Sequence, residues 1–230
     1  ADDAHSLFYR GNGMAVAVLD TGVDKNHPAL FGKIVSEACY STNNAAQGAS
    51  SVCPGSAASS TANNSGLNCP STTASCDHGT HVAGIVAGVA PAASIIAIQV
   101  FSRFTDGGAN TFCSNAGRTS PCSLTYGSDQ LAALNRVYAL RNTFSIASIN
   151  MSLGGGQFTA ACNSDPLKSS VDLLRGAGIA TVISAGNSGF RNAMGAPGCI
   201  STAISVGATA KNDTVASYSN IASFLSLIHI

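Results

Sequence analysis

Short apolar runs alternate with helical segments along this chain, and that alternation most limits the folds open to it. MAVAVLD (Met14 to Asp20) ends on an Asp and a Thr-Gly turn, as a buried parallel strand does. GTHVAGIVAGVAP follows Asp77 and His78 and reads as a helix that stops at Pro91. It carries small residues at Ala83, Gly84, Ala87 and Gly88. Glycine costs helix propensity, so this helix is expected to be buried and closely packed. SIIAIQVF (Ser94 to Phe101) is a second strand. From Ser128 onward, Leu131, Leu134, Val137, Tyr138 and Leu140 lie mostly along one helical stripe. IASINMSL (Ile146 to Leu153) gives a third strand. Asp165 and Pro166 read as the N-cap and first residue of a helix closing at Gly176. IATVISAGN (Ile179 to Asn187) and STAISVGA (Ser201 to Ala208) add two more strands.

Strand, helix, strand in this order implies right-handed crossovers and a parallel sheet covered on both faces. The expected class is α/β: a three-layer αβα, doubly wound, mainly parallel sheet. Ligands of such sheets sit at the carboxyl ends of the strands. Asp20, Ser152 and Asn187 fall at expected strand ends and His78 opens a helix, so these positions can converge. Residues 42–75 and 102–125 interrupt the alternation with Ser/Asn/Gly-rich sequence containing cysteines. They read as surface insertions pinned by disulfides within a single domain, 1–230, not as linkers.

Composition narrows the function classes. Hydrophobic residues make up 45% and charged residues 10%, which suits a packed core and argues against disorder. The formal net charge of +0 supplies no basic field for nucleic acid or an anionic membrane. No apolar run has the length of a membrane span, and a monomer is expected. The eight cysteines are scattered through polar loops and read as disulfides of a secreted, extracellular protein. Zinc would want close CxxC-type pairs, and none occurs. Eight cysteines allow about a hundred connectivities. Short separation alone pairs Cys53 with Cys69 and Cys113 with Cys122; Cys162 with Cys199 and Cys39 with Cys76 complete the expected set. The start, DDAHS, lacks a basic-then-apolar leader, so any signal and pro-segment are expected to have been removed.

Three motifs carry chemistry: LDTGVD around Asp20, DHGTHVAG around His78 and SAGNSG around Asn187. A carboxylate at the end of a buried strand needs partners. A histidine at a helix start feels the helix dipole against imidazolium and any nearby Asp in its favour. Each motif alone has a plain structural reading: Asp20 capping its own turn, Asn187 filling a Gly-Asn-Ser corner. His78 and His81 form HxxH, but a metalloprotease helix wants His at i and i+4 with a Glu beside it. The glycines of Gly11 to Gly13 precede a strand instead of following it, which defeats a phosphate cradle.

Together, in this chain order, the three motifs resemble the subtilisin-like serine protease family. NMSLGGG, Ala196-Pro197-Gly198 and Ser205 to Ala208 extend the resemblance from about Gly13 to Phe224. The resemblance implies that Asp20 orients His78, that His78 is the general base, and that Asn187 donates to the oxyanion. It makes His81 a packed structural histidine and leaves His5, His27 and His229 as ordinary loop or terminal residues. Ser152, Leu153, Gly154 and Gly155 would offer a strand edge to an extended polypeptide, with Ser184, Ala185 and Gly186 as the facing wall of the specificity pocket. Small residues on both walls suit an apolar or aromatic side chain. Catalysis in this family requires no cofactor. Calcium often stabilises it, but no matching ligand loop is recognisable.

The family's nucleophile lies in a Gly-Thr-Ser turn, and Gly-Thr-Ser occurs nowhere in these residues. Ser219, Ser223 and Ser226 lack the Gly-Thr approach. ASYSNIASF is family-like, whereas the ending SLIHI, within a tail of about 225–230, reads as foreign to the family. The expectation is a domain incomplete at its C-terminus, inactive and poorly soluble. The alternative is a pseudoprotease or binding module that lacks the nucleophile; retention of the Asp, His and Asn motifs disfavours it.

Overall fold

A computed structural model describes the backbone of residues 2–225 and 227–229 and the side chains of 4–225. The readings of the SLIHI ending, including Ser226 and the His229 side chain, lie outside the described residues. The chain forms two compact units, Ala1–Ile146 and Ala147–Ile230.

In chain order the first unit contains α1 (Asp2–Ser6), β1 (Ala15–Asp20), β2 (Ile34–Tyr40), β3 (Ala49–Ser50) and β4 (Ser59–Ser60). It continues with α2 (His78–Val89), β5 (Ser94–Gln99), β6 (Phe101–Phe104), α3 (Phe112–Asn115), β7 (Cys122–Thr125) and α4 (Gly127–Leu140). β5 pairs in parallel with β1 on one side and β2 on the other, which sets Asp20 opposite Gln99 and Gln99 opposite Cys39. Val18, Ile95 and Ala97 project to one face, where Val82, Ala83 and Ala87 of α2 pack with Val23 and Leu30. Alternation sends Ala17, Leu19, Ile96 and Ile98 to the other face, and they are buried as well. α4 lies against β1 and β2, with Ala133, Leu134 and Val137 buried. Burial on both faces explains why β1 and β5 read as unbroken apolar runs. β2 (IVSEACY) is only partly covered and carries Ser36 and Glu37, so no such run announced it.

The structure corrects the reading of α2. Ala83 and Ala87 face the core, but Gly84 and Gly88 have open space where a side chain would be. Ile85 and Val89 on the same helix are more than half exposed. The glycines are not there for close packing among the described residues.

The insertions are more ordered than a loop reading implies. β6 pairs antiparallel with β3 from the first insertion and with β7 from the second. Phe101, expected to end the second strand, belongs to this small sheet. Ala49, Phe104, Cys113 and Cys122 form its apolar centre. Cys113–Cys122 and Cys162–Cys199 pair as expected, but the other two pairings are Cys39–Cys53 and Cys69–Cys76. Cys39 sits on the unanticipated β2, and the returning chain brings Cys53 to a Cα–Cα distance of 5.6 Å.

The second unit contains β8 (Ile146–Met151), β9 (Gly155–Phe158), α5 (Lys168–Gly176), β10 (Ala180–Ser184), β11 (Met194–Ala196), β12 (Ile204–Gly207) and β13 (Leu227–His229). β8, β10, β12 and β13 run parallel in that order. α5 buries Ser170, Val171 and Leu174 and packs along β10. It starts at Lys168, later than Asp165-Pro166 predicts. Asp165 instead forms a turn in which its Oδ1 accepts the Leu167 N–H at 2.8 Å and its carbonyl accepts the Lys168 N–H at 3.0 Å. The mainly parallel strands with their packed helices match the α/β class expected from the sequence.

Candidate functional site

Asp20 is the last residue of β1 and is fully buried. Its Oδ1 accepts the backbone N–H of Thr21 at 2.7 Å and lies 2.8 Å from Nδ1 of His78. Oδ2 is buried with no hydrogen-bond partner among the described residues. His78 opens α2, and its side chain is 45% exposed, so one edge of the ring remains accessible. The hydrogen bond to Asp20 raises the His78 pKa above the ordinary imidazole value. Partial burial works against that rise, the charges of Asp20 and Asp77 add to it, and the Arg118 guanidinium opposes it. A neutral ring that donates Nδ1–H to Asp20 keeps the Nε2 lone pair free to take a proton.

Close packing fixes this pair. The Gly79 N–H donates to Thr21 Oγ1 at 2.9 Å, and Thr21 Oγ1 donates to the Cys76 carbonyl at 3.1 Å. A Cβ on Gly79 would overlap the Gly22 carbonyl oxygen and lie 3.0 Å from Asp20 Cβ. Buried Gln99 donates from Nε2 to the Thr21 carbonyl at 2.5 Å and accepts the Phe101 N–H at 2.6 Å. The first turn of α2 and the end of β1 are locked together by these bonds.

The remaining expected site residues belong to the second unit. Ser184 ends β10, and its Oγ donates to the Leu153 carbonyl at 3.2 Å, so the two expected pocket walls are tied together. Leu153 is buried, and Ser152 Oγ accepts from Asn150 Nδ2 at 2.9 Å. Gly154 has no room for a side chain, since a Cβ would approach the Ala196 carbonyl oxygen to 2.8 Å. Gly155 opens β9, which pairs antiparallel with β11 through Gly155 and Ala196. β9 is exposed along its length and keeps its other edge unpaired among the described residues. Ala185 is buried, and Gly186 turns at φ 106°, a conformation that favours glycine. Asn187 is exposed, and its side-chain amide has no hydrogen-bond partner among the described residues.

The sequence profile of the subtilase family matches residues 11–226. This chain belongs to the subtilase family. It is 30% identical over 223 residues to alkaline serine exoprotease A of Vibrio alginolyticus, covering 95% of this chain and 32% of that protein. It is 30% identical over 227 residues to thermitase of Thermoactinomyces vulgaris, covering 94% and 62%. Among solved structures, sphericase aligns with a TM-score of 0.60 at 29% identity, over 91% of this chain and 59% of that one. A cold-adapted subtilisin-like serine proteinase aligns at 0.58 and 24% identity, over 96% and 63%. The chain spans under two thirds of each of these relatives.

In this subtilase several positioning residues escaped the sequence reading. Thr21 and Gly79 lay inside quoted motifs without a role, and Gln99 was hidden as a polar end to an apolar strand. Asn220 was the least visible. It is buried, donates from Nδ2 to the Ala185 carbonyl at 2.9 Å, and accepts the Ser188 and Phe190 N–H groups at 3.0 and 3.1 Å. The loop carrying Asn187 is therefore built around a side chain more than thirty residues away. His81 also departs from expectation: it lies on the exposed side of α2, not in packed surroundings. No three His, Cys, Asp or Glu side chains gather as metal ligands among the described residues, so no calcium site is assigned. No described helix is long and apolar enough to cross a membrane.

Proposed function

We propose that the protein containing these 230 residues is a secreted serine endopeptidase that cleaves extended polypeptides through an Asp-His-Ser triad. The observation that carries this reading is the 2.8 Å hydrogen bond from half-exposed His78 to fully buried Asp20. His78 Nε2 takes the proton of the attacking serine hydroxyl and returns it to the leaving amine, while Asp20 holds the tautomer and stabilises imidazolium. The unengaged amide of Asn187 donates to the oxyanion. Losing such a donor costs roughly 10²- to 10³-fold in turnover, a value that comes from subtilisin itself. The segment Ser152, Leu153, Gly154 and Gly155, which leads into the open-edged β9, pairs with the substrate main chain, and Ser184, Ala185 and Gly186 face an apolar or aromatic side chain. The four disulfides support an oxidising, extracellular setting.

The nucleophile in this reading comes from outside the 230 residues. The chain contains no Gly-Thr-Ser. Ser219 is buried and accepts the Ala208 N–H at 3.0 Å, and the Ser223 hydroxyl faces Asn192 Oδ1 at 3.5 Å. A fluorophosphonate probe tests the reading. The product of the complete reading frame is expected to label, and the 230-residue chain to stay unlabelled. If the complete product also stays unlabelled, the binding-module reading replaces this one; labelling of the 230-residue chain would show that another serine serves.

A further inference from the structure

The two peptide units that flank Asn187 are both tied to one residue. The Gly186 carbonyl accepts the Asn220 backbone N–H at 2.9 Å, and the Ser188 N–H donates to Asn220 Oδ1 at 3.0 Å. The same oxygen takes the Phe190 N–H at 3.1 Å, while the Phe190 carbonyl accepts the N–H of Ile221 at 2.9 Å. The Gly189 N–H donates to the Tyr218 carbonyl at 2.8 Å. Residues 186–190 are thus bonded to 218–221, with the buried side chain of Asn220 at the centre. Gly186 presses against that side chain, for a Cβ there would overlap Asn220 Nδ2.

The Asn187 amide is exposed, so its backbone sets the direction in which it donates. Turning either flanking peptide breaks a bond to Asn220. A donor held in this way meets a developing oxyanion without having to reorganise, which is the source of its catalytic effect. We infer that Asn220 is a positioning residue: through its Oδ1 and its N–H it fixes the orientation of Asn187 toward the oxyanion of the tetrahedral intermediate. This rests on the reading of Asn187 as the oxyanion donor. The other half of the Asn220 amide is separable from that task. Nδ2 donates to the Ala185 carbonyl, which also accepts the Gly195 N–H at 3.0 Å and so keeps a partner without it. The acceptor oxygen is the part on which the Asn187 corner depends.

The test uses the active full-length protein, one quenched peptide, and the variants Asn187→Ala, Asn220→Ala and their double. Asn187→Ala is expected to lower kcat by about 10²- to 10³-fold, the subtilisin value. Asn220→Ala is expected to lower kcat by about 10- to 100-fold, the scale of loss for a catalytic group displaced by about 1 Å. Its KM stays within about threefold of wild type, because the lost interaction belongs to the transition state. The double variant matches Asn187→Ala within about threefold, since a donor already missing cannot also be misplaced. Asn220→Asp keeps the acceptor and loses only the Nδ2 donor, so it holds kcat within about fivefold of wild type. Val171→Ala, at a buried position of α5, controls for lost stability and leaves kcat as it was. The proposal is overturned if the double variant loses the product of the two single losses, which is what a merely loosened fold would give. It is equally overturned if Asn220→Ala raises KM with kcat unmoved. An Asn220→Asp that folds and is as slow as Asn187→Ala also overturns it, and this variant decides the matter should Asn220→Ala not fold. Wild-type kcat in Asn187→Ala would sink the oxyanion reading itself, and the proposal with it, whereas a multiplicative double variant removes only the part given to Asn220.

Discussion

Gly79→Ala probes the joint between β1 and α2 on which the candidate site depends. The added Cβ would overlap the Gly22 carbonyl oxygen, and would sit 3.0 Å from Asp20 Cβ and 3.2 Å from Asp20 Oδ1. None of these atoms can swing away, because one is backbone and the others belong to a fully buried side chain. The first turn of α2 must therefore move off the end of β1. Overpacking of this kind costs about 1–3 kcal/mol. Weakening the bond from the Gly79 N–H to Thr21 Oγ1 adds about 1 kcal/mol. The gain in helix propensity returns up to about 1 kcal/mol, leaving a net loss of about 1–3 kcal/mol. For a chain of this size that lowers the Tm by about 2–12 °C. Gly84→Ala is the control on the same helix: nothing lies within 4 Å of its Cβ, so it is expected to stabilise by up to about 1 kcal/mol. Urea and thermal unfolding read both variants, and imidazole NMR follows the displaced pair, whose longer hydrogen bond lets the His78 pKa fall toward its ordinary value. Equal stability of Gly79→Ala and wild type, with the His78 titration unmoved, would refute the close-packed joint.

Removing the acceptor in Asp20→Asn is expected to lower the His78 pKa, because the hydrogen bond to Asp20 is the largest cause of its rise. A raised folded-state pKa contributes stability that is fully present below the unfolded imidazole value and is lost as pH rises through the folded one. The stability difference between wild type and Asp20→Asn should therefore shrink across that window in pH-dependent urea unfolding. Asn220→Ala strips partners from the Ala185 carbonyl and from the Ser188 and Phe190 N–H groups. It is expected to cost about 2–4 kcal/mol, with hydrogen exchange accelerated at the Ser188 and Phe190 amides. Replacing both cysteines of a bridge by alanine should cost more for Cys162–Cys199, which closes 37 residues, than for Cys69–Cys76, which closes 7. Chain entropy puts the two losses at about 4 and about 2 kcal/mol; peptide mapping of the unreduced protein checks the pairings themselves.

What the sequence revealed depended on how locally each feature is encoded. β1 and β5 were legible because burial on both faces demands an uninterrupted apolar run, and Asp20 and His78 were legible because each sits inside a dense motif. β2 was not, since its partial cover admits Ser36 and Glu37 into the strand. Part of the disulfide error followed from that omission: without β2, nothing placed Cys39 near Cys53, and pairing Cys53 with Cys69 passed over the nearer partner, Cys76, only 7 residues from Cys69. Gln99 and Asn220 act through contacts formed only after the chain has folded, so no local pattern marks them. The glycines of α2 mislead in the other direction. Low helix propensity suggested close packing, yet Gly84 and Gly88 lie on the open side of the helix, and only Gly79, in its first turn, is required by contact.

The environment of Asp20 bears on the choice between an enzyme and a binding module. Folding alone gains little from burying a carboxylate whose Oδ2 finds no hydrogen-bond donor among the described residues, since an unsatisfied buried acceptor costs about 1–3 kcal/mol and more when charged. A turn cap would be served by the Thr21 N–H to Oδ1 bond alone, with the side chain nearer solvent. Instead the carboxylate is fully enclosed and aimed at a histidine whose far edge stays accessible, and Thr21, Gly79 and Gln99 are spent on holding that alignment. Local conflict of this sort concentrates at sites of chemistry. A surface that only binds polypeptide has no use for a base whose proton affinity is raised by a buried anion, whereas a hydroxyl nucleophile does. The physical expense of the Asp20–His78 pair therefore favours the peptidase reading over the binding module, independently of where the serine lies.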